Sequence, residues 1–220
     1  MPVICRLPQK SSGSVVLTGT AVESDVASGK TFYNTDSNTK LTGTASGGGM
    51  VLAVGTNCRP TGTITIPNGV TSIDRYAFYY NTNVTSVIMP NTITAIENYA
   101  FTSCSHLTSA IIPNGVTNIG FYAFDHCTSM TALTIPSSSI NISSDAFNWC
   151  TSLEFVTLGT GFNANIRLAD STKYSRDTLM AMINAYTNAS GKTLTMGATN
   201  LAKLSTEDKA VASNKGLTLA

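Results

Sequence analysis

Three consecutive positions, Asp125-His126-Cys127, hold the side chains of a cysteine-nucleophile triad: a thiol, an imidazole to take its proton and a carboxylate to orient the ring. Neighbours on a strand or turn point in different directions, so these three are not expected to assemble and no catalytic residue is expected. The other reactive groups form a series: Cys104, Cys127 and Cys150 stand 23 residues apart. A metal site would add His106 or His126 to these thiols, yet no Cys-x-x-Cys or His-x-x-x-His spacing occurs. No metal or other cofactor is expected. Ser46-Gly47-Gly48-Gly49 lacks the Lys and the following helical pattern of a phosphate loop, and no paired carboxylates sit in a glycosidase frame. The thiols are expected to be small buried groups filling a corner, and five cysteines cannot all pair within one chain.

The elements that position these residues follow from composition and spacing. Of 220 residues only 11% are charged, and 13 Lys and Arg against 12 Asp and Glu leave a net charge of +1. No single-sign field exists to grip nucleic acid or an anionic membrane, so neither is an expected partner. No apolar run of about 18 residues is present, so membrane insertion is not expected, and the first residues lack the pattern of a signal peptide. Ser and Thr make up about a quarter of the chain, as in extended β structures.

The 23-residue spacing extends well beyond the cysteines. Ala-Phe recurs at Ala77-Phe78, Ala100-Phe101, Ala123-Phe124 and Ala146-Phe147; an aliphatic residue precedes Pro at Ile66-Pro67, Met89-Pro90, Ile112-Pro113 and Ile135-Pro136. Ala110 and Ile112 alternate as in a half-buried strand, so each unit is read as one short strand ended by Pro. Pro67-Asn68-Gly69 and Pro113-Asn114-Gly115 supply corners, with Asn and Gly accepting positive φ. A single unit cannot bury its apolar side, so the copies must stack as a solenoid with parallel strands, four to five turns giving roughly 20 to 25 Å of length.

The strings Ile112-Pro113-Asn114-Gly115-Val116-Thr117-Asn118-Ile119-Gly120, Tyr122-Ala123-Phe124 and Cys127-Thr128-Ser129-Met130 resemble the BspA-type leucine-rich repeats of bacterial surface and phage-borne proteins, over about residues 61–160. The resemblance implies a right-handed solenoid without intrinsic catalysis, used for adhesion or partner recognition. Asn81 in the cysteine series, Asp145 in the Tyr76-Tyr99-Tyr122 series and Ser137-Ser138-Ser139-Ile140 depart from it, which predicts local irregularity in the fourth turn.

The fold class expected is mostly β with short helices: a right-handed leucine-rich-repeat solenoid over 51–160, an N-terminal Thr/Gly-rich β arm over 1–50, and a C-terminal α/β capping segment over 161–220. In the arm, Leu17-Thr18-Gly19-Thr20-Ala21 returns as Leu41-Thr42-Gly43-Thr44-Ala45. This segment and Gly197–Leu204 are similar to modules of tail-associated proteins of phages of Gram-positive bacteria. In the last segment Ser175 is expected to cap a helix closed by Ser190-Gly191, Thr193–Met196 forms a strand, Ser205 with Asp208 caps a second helix, and Gly216–Leu219 forms a last strand.

Repeats permit an internal comparison: positions that hold between copies are core, and positions that vary are free of packing constraint. The varying series are Arg75-Asn98-Phe121-Ser144, Tyr79-Thr102-Asp125-Asn148 and Tyr80-Ser103-His126-Trp149. Arg75, Tyr79, Tyr80, Phe121, His126 and Trp149 are therefore candidate contact residues, since exposed aromatic side chains dominate binding hot spots. Tyr76, Tyr99 and Tyr122 are expected to stack along the solenoid. Ile88, Ile111 and Phe155, among Thr and Ser on the strands, form a second candidate surface. The function expected is a virion component, a phage tail-associated or receptor-binding protein contacting a host-surface protein or glycan, with other tail proteins and sister chains as partners. Oligomerisation, a trimer by analogy with tail fibres, follows from an arm too short to own a core. A bacterial cell-surface adhesin is the alternative, and a cell-wall polymer hydrolase is disfavoured.

Overall fold

The computed structural model describes residues 50–52, 61–66, 68–136 and 140–220. The expected N-terminal arm up to Gly49, Pro67 and the Ser137-Ser138-Ser139 departure lie outside the described residues. In chain order the strands of the repeat region are β1 (Met50–Leu52), β2 (Gly62–Thr65), β3 (Val70–Ile73), β4 (Val84–Ile88), β5 (Ala95–Ile96), β6 (Ser109–Ile111), β7 (Asn118–Ile119), β8 (Ala132–Ile135), β9 (Asn141–Ile142) and β10 (Phe155–Leu158). Odd and even strands separate into different sheets, in the orders β1-β3-β5-β7-β9, β2-β4 and β10-β8-β6. Every pairing in them is parallel.

Registers repeat the sequence spacing: Ser72 lies opposite Ala95, Ala95 opposite Asn118, and Asn118 opposite Asn141, while Ser109, Ala132 and Phe155 align across β6, β8 and β10. Each unit thus contributes two strands, not the single one expected. The second strand, β5 in one copy and β7 in the next, is two residues long. It exists through bonds to neighbouring turns and is too short to leave an alternation in the sequence.

The interior is a set of columns. Phe78, Phe101, Phe124 and Phe147 stack at centroid separations of 4.9, 5.0 and 5.4 Å with rings within 10° of parallel. Strand residues Val70, Ile73, Ile96, Ile119, Leu133 and Val156 close the core around them. The abundance of Thr finds its reason here. Thr94 Oγ1 donates to the Thr71 carbonyl at 3.0 Å and Thr117 Oγ1 to the Thr94 carbonyl at 3.2 Å; Thr108 and Thr131 repeat the bond on the other side. These hydroxyls satisfy backbone carbonyls from one turn to the next.

Gly115 differs from the turn role expected of it. Its φ is not positive; a Cβ there would lie 2.6 Å from the Asn91 carbonyl oxygen, so glycine is required by the approach of the preceding turn. Gly69, its counterpart, does adopt φ +92°.

The C-terminal region forms a separate parallel sheet of β11 (Ile166–Arg167), β12 (Lys192–Thr195) and β13 (Leu217–Leu219) with helices α1 (Arg176–Ala185), α2 (Ala198–Leu201) and α3 (Thr206–Asn214). Ser175 caps α1 by accepting from the Thr178 amide, and Ser205 with Asp208 forms a reciprocal capping box on α3, both as the sequence predicts. Helix α1 ends at Ala185, well before the expected Ser190-Gly191 stop. Tyr186 is extended and buried, donating its hydroxyl to the Ala164 carbonyl at 2.8 Å, and this contact draws the chain out of the helix. Gly191, at φ +72°, instead turns the chain into β12. Helix α1 packs on β10 with Leu179, Met182 and Ile183 buried. Among the described residues no helix is long and apolar enough to cross a membrane.

Phe101 has a stacked ring on both sides, so Phe101→Ala is expected to cost about 3 to 5 kcal/mol in urea unfolding. A loss under about 1 kcal/mol would show that the column does not hold the turns together.

Candidate recognition surface

The surface is built by one tight segment that recurs after β3, β5, β7 and β9. In the first copy this is Asp74-Arg75-Tyr76-Ala77-Phe78-Tyr79-Tyr80-Asn81. Amides bond back three residues, Ala77 to Asp74, Tyr79 to Tyr76 and Asn81 to Phe78. Tyr76 and Tyr80 take left-handed backbone at φ 64° and 55°. They bracket the Ala-Phe pair, turn it into the core and leave their own side chains outside. The left-handed backbone recurs at Tyr99, Tyr122, Ser103, His126 and Trp149. Bulky residues pay about 1 to 2 kcal/mol each for this conformation. Its presence at Ser103 shows that the repeat geometry imposes it, whichever side chain is carried. Asp145 departs from its three Tyr counterparts and is not left-handed.

Tyr76 and Tyr99 stack at 5.1 Å and 22°, and Tyr99 and Tyr122 follow at 5.5 Å and 36°, as expected. Tyr79 meets Tyr76 and Tyr80 edge-on at 5.1 and 4.6 Å. Phe121 extends the group by edge contacts with Tyr122 and Tyr99. The Arg75 guanidinium lies 4.8 Å from the Tyr76 ring centre and 5.5 Å from that of Tyr99. Arg75, Tyr79, Tyr80 and Phe121 thus join one exposed ridge with the tyrosine stack.

His126 and Trp149 stack on each other at 5.6 Å further along, both exposed. A polar network that sequence reasoning missed fixes this end. Asp170 accepts from the Trp149 amide at 3.0 Å and pairs with Arg167; Arg167 donates to Asn148 Oδ1 at 2.8 Å, and Asn148 donates to Asp125 at 3.2 Å. Asp125 in turn lies 2.9 Å from His126 Nδ1. The Arg167-Asp170 spacing was its one local trace. Partial burial pushes the Asp170 carboxyl up, but the bonds from Arg167 and the Trp149 amide outweigh it and hold the group below the ordinary carboxylate range.

One expectation is corrected. The series Tyr79-Thr102-Asp125-Asn148 is not free of packing constraint: Thr102 and Asp125 are buried, Thr102 donating to the Tyr122 carbonyl and Asp125 accepting within the network above. Ile88, Ile111 and Phe155 are exposed on the strands; Ile111 aligns with Thr134, and Phe155 aligns with Ala132.

Asp125-His126-Cys127 does not assemble. Cys127 is buried and its Sγ donates to the Phe101 carbonyl at 3.3 Å; Cys104 and Cys150 make the same bond to Phe78 and Phe124. Burial pushes the Cys104 thiol up to about 12 and likewise raises Cys127 and Cys150, so all three are protonated donors. Asn81 takes their place in the first copy, with its Oδ1 accepting from the Asn83 amide. No group of three or more His, Cys, Asp and Glu is placed to hold a metal among the described residues.

A family model for the BspA-type leucine-rich-repeat region matches residues 55–167 in six copies. The chain belongs to the BspA-type leucine-rich-repeat family. Its parallel sheets and few short helices are those of a leucine-rich-repeat protein, a class consistent with protein interaction or adhesion. The crystal structure of a T. pallidum leucine-rich-repeat protein is similar at 20% identity and a TM-score of 0.48, over 78% of this chain and 85% of that one. No curated protein matches.

In this BspA-type chain the three core thiols are expected to resist alkylation at pH 8 in the native state and to react at once in denaturant; rapid native labelling of Cys127 would contradict their burial. For Asp170, whose pKa is depressed on folding, the associated stability is present above the unfolded value and lost as pH falls below about 4. Asp170→Asn is therefore expected to flatten the acid limb of the stability profile and to leave Trp149 fluorescence more solvent-exposed.

Proposed function

We propose that this protein is a non-enzymatic recognition component whose repeat region is a right-handed solenoid of four to five 23-residue turns. In this reading, residues 1–50 form an attachment arm, 51–160 the solenoid and 161–220 a cap over its last turn. The observation that carries it is the contrast within each copy: the Ala-Phe pair is constant and buried, while Arg75, Tyr79, Tyr80, Phe121, His126 and Trp149 vary between copies and stay exposed. Exposed aromatic side chains with an Arg among them have the composition of binding hot spots. The partner is a host-surface protein or glycan. The carrier is a phage tail or other exterior virion structure, in keeping with the likeness of both flanks to tail-associated modules. Other tail proteins and sister chains, as a trimer, would hold it there.

A second reading, a bacterial cell-surface adhesin, draws its support from the family itself. In either reading the same surface makes the contact, and Ile88, Ile111 and Phe155 offer a further apolar face for assembly.

Substituting Tyr79, Tyr80 and Trp149 together by Ala is expected to lower attachment to target cells at least tenfold, with the circular-dichroism spectrum and melting point nearly unchanged. Equal attachment by this folded variant would remove the surface from consideration. Immunogold labelling of purified particles separates the two carriers: label on the virion supports the tail reading, and label on the bacterial envelope alone supports the adhesin.

A further inference from the structure

Arg75 is the one Lys or Arg between Arg59 and Arg167 in the sequence. It is exposed, and it forms no ion pair among the described residues although Asp74 is its neighbour in the chain. The Asp74 carboxylate is engaged elsewhere, accepting from the Arg75 backbone amide at 2.7 Å. The guanidinium instead lies on the Tyr76 and Tyr99 rings and donates through Nη2 to the Tyr76 hydroxyl at 3.0 Å. Ring stacking holds its plane in place without neutralising its charge. Nε and Nη1 have no partner among the described residues and Nη2 keeps a second hydrogen, so one edge of the guanidinium, Nη2 with either Nε or Nη1, is left for a planar oxyanion.

The surroundings narrow what carries that oxyanion. Tyr76, Tyr79 and Tyr80 are exposed, and their phenol rings offer a mixture of O–H and C–H surface. A saccharide has the same mixture, with C–H faces to pack on rings and hydroxyls to bond phenols. A peptide that adds to a sheet does so through an unpaired edge; here β3, β5 and β7 are each paired on both sides, so the ridge offers no such edge. A dense polyanion such as nucleic acid needs many cations, and the ridge carries a single one.

We propose that the ridge binds an acidic saccharide, with a sugar carboxylate on Arg75 and the sugar rings against Tyr76, Tyr79 and Tyr80. This rests on the recognition role proposed above and names its ligand class. The carboxylate can belong to a uronate or a sialate, and the same fork accepts both.

The test is calorimetry of the full chain against oligogalacturonate and sialyl-oligosaccharides, their methyl esters, and poly-glutamate as the protein-like anion. Binding of either acid is expected, at least tenfold weaker for its methyl ester and weakened by salt. Arg75→Gln should lose at least tenfold and Arg75→Lys less, both with unchanged melting points. Which acid binds tells the two sources apart. Equal binding of acid and ester, an unaffected R75Q variant, tighter binding of poly-glutamate, or binding of none of the sugars would overturn the proposal. Cell attachment separates this result from the broader reading: if R75Q attaches normally while the Tyr79, Tyr80 and Trp149 variant does not, recognition stands and the acidic-sugar site falls.

Discussion

Backbone hydrogen bonds between turns are the constraint on which the structure depends. On the strand sides the amides reach back: Thr94 donates to Thr71, Thr117 to Thr94, Thr108 to Thr85 and Thr131 to Thr108. At the Ala-Phe segment they reach forward, Phe78 donating to Ala100, Phe101 to Ala123 and Phe124 to Ala146. Each inner turn is thereby bonded to the turns before and after it. Buried polar backbone tolerates few unmade bonds, so an insertion of one residue would strand donors on several sides at once. Fixed spacing follows from this arithmetic, as do the Phe and Cys columns, because every side chain must meet its own counterpart one turn away.

The same constraint decides which side chains are free to act. A residue that faces the interior or bonds a neighbouring turn is held to that task, as with Phe101, Cys127 and Thr117. A residue on the left-handed positions has its backbone dictated and its side chain released, and there the protein carries Tyr80, Ser103, His126 and Trp149 in succession. The ridge is thus a by-product of the stacking geometry, available for recognition at little cost to packing. A low overall charge suits such a surface, since one guanidinium among phenols stands out where many would blur.

The sequence made the period, the Phe column, the buried thiols and both helix N-caps legible, because each rests on residue type at fixed spacing. Two-residue strands such as β5 and β7 were not legible, since nothing local distinguishes them; their bonds run to residues 23 or more positions away. Thr102 and Asp125 were misread as surface because variation between copies is also what a polar network shows when each copy satisfies the same backbone differently. The Arg167-Asp170 pair lies past the last clear copy and touches Trp149 only in three dimensions. For the ridge, the sequence named Arg75, Tyr79, Tyr80 and Phe121, but that Arg75 has no ion pair among the described residues is visible only in three dimensions.

The account's central claim is that turns are interchangeable units held by one register, and in-register deletion tests it most directly. Removing Cys104–His126 joins Ser103 to Cys127 and takes out one whole 23-residue period; removing only Cys104–Asn114 breaks the register. The first protein is expected to keep a single cooperative unfolding transition and the native far-ultraviolet spectrum, and the second to lose both. Equal unfolding of the two, or equal tolerance of both, would contradict the stacking that the whole account assumes.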